Sequence, residues 1–302
     1  MKLIFLILAI AFSTSGFCQK FIDLGNVYWR TSPGNSVDSL DLKRNLNTYV
    51  ADAKLPIVLN DKNVAIVGME YQQNDLSFAD DDWKDILDYQ FASSTLQLGL
   101  EHKWNDRSKM LFMSMGRLNT DYNNVNSSHF QIGGLFLGTT NRSENFAWKY
   151  GCYYNGEFFG PMIVPLFGFD WKINEKWRLK TVIPVDLELS YQPSDGLRTG
   201  LRFDGVNGSY RAALIDWKTD THIDKADNNI WLFGEKKLGK YLWIHGKAGH
   251  SILRKYRFYD NNEKLGLKIG PVNLLDERPE TISMLENGWS FELRLIFRMP
   301  LD

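Results

Sequence analysis

The chain has 302 residues and a formal charge of −1, and aromatic residues make up 14% of it. That balance leaves no basic face for nucleic acid. Two cysteines, Cys18 and Cys152, are too few for a disulfide framework, and after the first residues no apolar run approaches the ~20 residues of a membrane helix.

Met1 and Lys2 form a short positive start. Leu3 to Phe12 is then an unbroken apolar run of about ten residues, the length of an export signal's apolar centre. Gly16 and Cys18 are the small residues preceding a cut before Gln19. Residues 1–18 are therefore expected to be a signal peptide, and 19–302 one continuous domain. A lipoprotein signal also ends on cysteine, but a small residue precedes it there, and here it is Phe17. Acylation of Cys18 is the lesser alternative. A cut after Cys18 leaves Cys152 as a lone thiol, facing lipid or a packed interior.

Further along, Val64 to Met69 is apolar throughout. Asp80, Asp81 and Asp82 precede Trp83, Ile86 and Leu87, a spacing that predicts a short helix. Leu96, Leu98 and Leu100 alternate with Gln97, Gly99 and Glu101, the period of two of a strand. Met110 to Met115 is apolar on both faces apart from Ser114, and His129 to Thr139 mixes its faces. Leu187, Leu189 and Tyr191 oppose Asp186, Glu188 and Ser190. Leu197, Leu201 and Phe203 oppose Arg198, Arg202 and Asp204. Pro279 to Asn287 before Gly288 predicts a second helix. The last strand puts Phe291, Leu293, Leu295, Phe297 and Met299 on one face and Ser290, Glu292, Arg294 and Arg298 on the other, with Ile296 the one apolar residue on the polar side.

Short turns at 105–108, 174–176, 193–196 and 237–240 carry Gly, Pro, Asn and Asp, where tight turns cost little. Longer polar stretches at 119–128 and 219–229 read as loops. Short turns at one end and long loops at the other, joined by strands with one apolar and one charged face, predict an all-β fold: a closed antiparallel transmembrane β-barrel of about 12 strands, with 10 to 14 allowed. The short turns would lie on the periplasmic side and the longer loops outside. Trp104, Trp171 and Trp177 sit beside short turns, where interfacial aromatics belong. Pro161, Pro165 and Pro184 conflict with this pattern, because proline cannot donate to a ladder and a closed barrel has no edge to hold it. They are expected at strand ends, bulges or the rim, with breaks near 159–162 and at Pro184.

The stretch from Pro165 through Asp170-Trp171, Trp177-Arg178-Leu179, Ile183-Pro184 and Leu189-Ser190-Tyr191 resembles a family of uncharacterised outer-membrane β-barrels of Gram-negative bacteria, catalogued as a domain of unknown function. The resemblance covers most of the chain after residue 18 and is distinctive from about Pro165 to Tyr191. It implies location in the cell outer membrane, with lipid and the barrel-insertion machinery as partners, and it implies no activity. Many such barrels end on an aromatic residue read by that machinery. Here the sequence ends Arg298-Met299-Pro300-Leu301-Asp302, and Phe297 is expected to take the aromatic's part.

Facing Leu96, Leu98, Leu100, Phe291, Leu293, Leu295 and Phe297 toward lipid places Glu101, Glu188, Arg198, Arg202, Glu292, Arg294 and Arg298 in the lumen. They either line a narrow pore for a small solute or pair with one another as a structural network. The mixed signs favour pairing, because unpaired charge in a dry interior is expensive. No cofactor motif is visible. Among five histidines, His250 adjoins Ser251, but strand neighbours point to opposite faces and cannot form a base–nucleophile pair. No Gly-x-Ser-x-Gly elbow and no His-Glu-x-x-His occurs. Asp80 to Asp82 could ligate calcium but suits a solvated loop better. A barrel that is a small-solute channel or a closed structure is the preferred reading. A barrel enzyme acting on lipid or peptide, or a secreted lipocalin-like barrel, are the alternatives.

Overall fold

The computed structural model describes residues 21–37, 40–78, 88–122, 125–212, 221–270, 272–274, 276–279 and 283–300. The expected export signal with Cys18, and the helix expected after Asp80–Asp82, lie outside these residues. In chain order the strands are β1 (Phe21–Val37), β2 (Leu40–Asn60), β3 (Asn63–Phe78), β4 (Tyr89–Lys103), β5 (Ser108–Thr120), β6 (Phe130–Ser143), β7 (Phe146–Glu157) and β8 (Gly160–Lys172). Then come β9 (Trp177–Ile183), β10 (Asp186–Ser194), β11 (Leu197–Ala212), β12 (Thr221–Lys237), β13 (Leu242–Asp260), β14 (Leu267–Ile269), β15 (Val272–Leu274) and β16 (Trp289–Pro300).

Strands β1 to β13 and β16 each pair antiparallel with their neighbours, and β1 closes the ring on β16, from Phe21↔Pro300 to Thr31↔Phe291. These fourteen strands form a closed barrel. That is two more than the expected twelve, partly because β9 and β10 cross in only 7 and 9 residues. The alternation read from the sequence is the wall's alternation. Leu293, Leu295 and Phe297 are exposed on the outside, whereas Ile296 is only 3% exposed inside.

Three expectations need correction. Of the polar run expected as a loop, residues 221–229 are strand: β12 begins at Thr221, and Lys225, Asp227 and Asn229 are buried in the interior. Polarity there marks a lumen face rather than solvent. Residues 283–287 are not helical. Ser283 bridges to Arg257, the Met284 N–H donates to the Tyr256 carbonyl (2.8 Å), and Leu285 is wholly buried inside the barrel. Pro165 lies mid-strand in β8, opposite Cys152 of β7.

Register explains that proline. Even-numbered residues of β8 turn their N–H toward β7, as Lys172 does to Asn145 (2.8 Å), and Ile173 just beyond it donates to Trp177 (3.0 Å) at the β9 side. Pro161 and Pro165 are odd, so their missing N–H groups face the β9 side. There β9 has already ended, its last pair being Phe167↔Ile183. The closed barrel thus has a local edge, and the two prolines lie on it.

Opposite that margin, β11 runs from its last β10 partner at Asp204 up to Ala212. The β9–β10 hairpin turns at Pro184 and Val185, while β8 continues up to Gly160. The result is a notch about 20 Å deep along the strands, at ~3.3 Å per residue. Gly168 and Gly200 let the short hairpin press against its neighbours: a Cβ would come within 2.0 Å of the Thr181 carbonyl oxygen and 2.1 Å of that of Leu189, respectively. The hairpin β14–β15 enters the notch, pairing parallel to β8 at Lys268↔Met162 and Ile269↔Ile163.

Candidate lumen site

Inside the barrel the side chains sort into three zones. One wall, made by β10 to β13, β16 and β1, is an ion-pair ladder. Cross-strand register sets it up by placing opposite charges face to face: Glu292↔Arg30, Glu292↔Lys247, Arg298↔Asp23, Glu235↔Arg198, Glu188↔Arg202 and Asp227↔Arg254 are all direct partners. The carboxylate of Glu292, wholly buried, accepts from Arg30 (2.7 Å), Arg294 (2.8 Å) and Lys247 (3.1 Å). Glu235 accepts from Arg198 (3.1 Å) and Arg298, and Arg298 also binds Asp23. Arg198 reaches Glu188 (2.7 Å), Arg202 reaches Asp186 (2.7 Å), and Arg254 reaches Asp227 (3.0 Å).

Six of the seven charges expected in the lumen are therefore brought together: Glu188, Arg198, Arg202, Glu292, Arg294 and Arg298. Glu101 stands apart, paired with Lys109 (2.8 Å) on the other wall at the short-turn end. Asp186 and Asp227 pair within the ladder too, and Asp23, Arg30, Glu235, Lys247 and Arg254 complete it. Sequence reasoning passed over them, although Arg30 and Glu235 alternate with outward residues as Glu292 does. Leu96, Leu98, Leu100, Phe291, Leu293, Leu295 and Phe297 are all exposed on the outer surface. Trp104, Trp171 and Trp177 are exposed beside the short turns, and Trp104 meets the His102 ring edge-on at 4.9 Å.

The second zone is an apolar cluster that fills the long-loop end of the barrel. Leu46, Leu76, Phe91, Tyr210, Ile223, Tyr256 and Leu285 pack there, with Phe91 and Tyr210 edge-to-face at 4.6 Å. The upper part of β11 bends inward to join it. Glu157 at the end of β7 accepts from the Ser209 N–H (2.8 Å) and hydroxyl (2.7 Å), and the Asp121 N–H donates to the Arg211 carbonyl (3.2 Å).

Between ladder and cluster lies the third zone, a cavity of about 570 Å³. Its far side is polar: Glu70, Gln72, Ser93, Thr95, Arg117 and Asn119. Arg117 donates to the Tyr153 hydroxyl (2.8 Å). Its near side is the notch, with Met162, Val164, Pro184, Val185 and Val206. Outside the barrel, Asp276 accepts from Arg278 (2.9 Å), which also reaches Asp224 (2.6 Å). Those hydrogen bonds from Arg278 hold the Asp276 carboxyl below the usual carboxylate range.

The sequence pattern of a domain of unknown function, DUF6268, matches residues 30–266. The chain belongs to the DUF6268 family. No curated protein matches it. Among solved structures, the DUF6268 barrel is similar to the COG4313 outer membrane channel from Pseudomonas putida F1, with a TM-score of 0.51 and 11% identity over 95% of this chain and 100% of that one. A Pseudomonas aeruginosa FadL homologue gives a TM-score of 0.47 and 10% identity over 96% of this chain and 91% of that one. At 11% identity the likeness to the COG4313 channel is one of fold alone.

Proposed function

We propose that this DUF6268 chain is an integral protein of the Gram-negative outer membrane whose lumen holds and passes a small solute without acting as a wide aqueous pore. The observation that carries this reading is the division of the interior. Paired charges occupy one wall and an aromatic cluster occupies one end, yet a two-faced cavity of about 570 Å³ stays between them. Outward leucines and phenylalanines over strands of barrel length support a lipid surround. The short-turn end would face the periplasm, and Phe297, exposed on the last strand, would serve the insertion machinery.

No hydrolytic step belongs to this reading. His250 turns outward against Trp289 (5.4 Å), while Ser251 turns inward to Gly288, so that adjacent His–Ser pair is split between faces. The reading is tested by single-channel recording of the refolded protein in planar bilayers. The expected trace is silent or of very low conductance, because ions meet both the ladder and the cluster. A large, steady, discrete conductance would refute it.

A further inference from the structure

We infer that the notch between β8 and β11 is a doorway through the barrel wall, by which an apolar or amphipathic small molecule moves between the lumen cavity and the acyl-chain layer. The inference rests on the cavity reading above and adds the route and the class of solute.

On every side other than the notch, neighbouring strands are joined by backbone ladders. At the notch, among the described residues, the wall is completed only by the β14–β15 hairpin. That hairpin is tied to β8 by strand pairing and by the Gly270 N–H donating to the Ile163 carbonyl (2.8 Å). Toward β11 and β12, the described residues show no backbone pairing with the hairpin, only side-chain ties: the Lys268 ammonium donates to the Asn207 side chain (3.2 Å) and, just past β15, Arg278 reaches Asp224 (2.6 Å). A flap held by backbone along one margin and by side chains alone on the other can swing open without breaking a ladder.

Val206, which faces inward with its partner Asp227, and Val185 at the β9–β10 turn both line the cavity, yet both are exposed, so the cavity is thinly covered at the notch. The hairpin and the notch rim show Ile183, Ile269 and Val272 to the outside, a surface suited to lipid. The cavity behind is apolar near the doorway and polar at its back, where Gln72, Thr95 and Arg117 sit. A molecule with an apolar body and a polar end fits that order, body toward the doorway and end toward Arg117. The apolar cluster closes the long-loop end above the cavity, so among the described residues the notch is the thinnest barrier.

The test places a thiol at the back of the cavity. Thr95→Cys, in a chain with Cys18 and Cys152 replaced by Ser, is reconstituted in phosphatidylcholine vesicles. It is challenged with N-(1-pyrenyl)maleimide, which partitions into the bilayer, or with a sulfonated maleimide confined to water. Replacing residues 266–276 by a Gly-Ser linker is expected to speed pyrene labelling at least tenfold and leave sulfonate labelling unchanged. In the full-length hairpin, Lys268→Ala should speed pyrene labelling several-fold and Val206→Trp should slow it. These two point variants decide the matter should the shortened chain fail to fold. Pyrene labelling indifferent to all three changes, or both reagents accelerated equally, would overturn the doorway while leaving the cavity reading intact. A thiol that neither reagent reaches in any variant would overturn the cavity reading and the doorway with it.

Discussion

Replacing Glu292 with Gln keeps the side chain's shape and removes its charge. In the folded barrel this leaves Arg30, Lys247 and Arg294, three cations that converge on one carboxylate within 2.7–3.1 Å, without their common anion. Arg30 and Lys247 have Asp204 as a further partner, but only at 3.8 and 3.9 Å. Breaking a buried pair by deleting one partner costs about 3–5 kcal/mol, because the remaining charge stays desolvated. Glu101→Gln is the matched control. Its Lys109 pair is half-exposed, and such pairs contribute about 0–1 kcal/mol. Reversible urea unfolding in lipid vesicles, followed by tryptophan fluorescence, measures both. With a slope of about 3 kcal/mol per molar urea, Glu292→Gln should lower the midpoint by about 1–1.7 M and Glu101→Gln by less than about 0.3 M. Adding Lys247→Met to Glu292→Gln should recover part of the loss, since one stranded cation is removed. Equal midpoints for the two single variants would refute the view that the ladder, rather than the surrounding lipid, holds this wall together.

Depth in the membrane is tested by Leu295→Arg, which puts a cation on the lipid face at a cost of about 2–4 kcal/mol near mid-bilayer; its folding yield into vesicles should fall well below that of Ile296→Gln on the lumen side, and comparable yields would contradict the register. Leu285→Ala, wholly buried in the apolar cluster, should destabilise by about 2–5 kcal/mol and raise ion leakage through reconstituted vesicles. The Asp276–Arg278 clasp beside the β14–β15 hairpin should depend on pH: Asp276 titrates lower when folded than when unfolded, so the clasp is fully present above the ordinary carboxylate pKa and is lost as pH falls through the depressed value. Limited proteolysis of the 261–288 segment should therefore quicken with acidification, and Asp276→Asn should show the fast rate at every pH.

Much of the barrel could be read from alternation alone. The β16 stripe from Phe291 to Met299 and the strands around Leu98 and Leu189 gave their faces directly, because each residue's direction follows from a period of two. The turns at 105–108, 174–176 and 237–240 were legible from their Asn and Gly positions. Partnership was not legible. Nothing local in Arg30 says that it will oppose Glu292, more than 260 residues away; that follows from ring closure, which fixes register between the two ends of the chain. Loop and lumen also look alike in composition, which is why Lys225, Asp227 and Asn229 read as a loop. The cavity was invisible for the same reason: Gln72, Thr95 and Arg117 come from three strands and share no motif. Pro161 and Pro165 did carry a signal. Their apparent conflict with a closed barrel was the mark of the interrupted wall.

Those two prolines have a consequence for assembly. An open β margin ordinarily invites any passing extended chain to zip onto it. Along the upper part of β8, every second position should offer a donor on that side, and at 161 and 165 proline withholds it. A foreign strand would find carbonyls to bind but almost nothing to bind it in return, so the gap stays free for its own short hairpin and is guarded against mispairing while the barrel is being inserted.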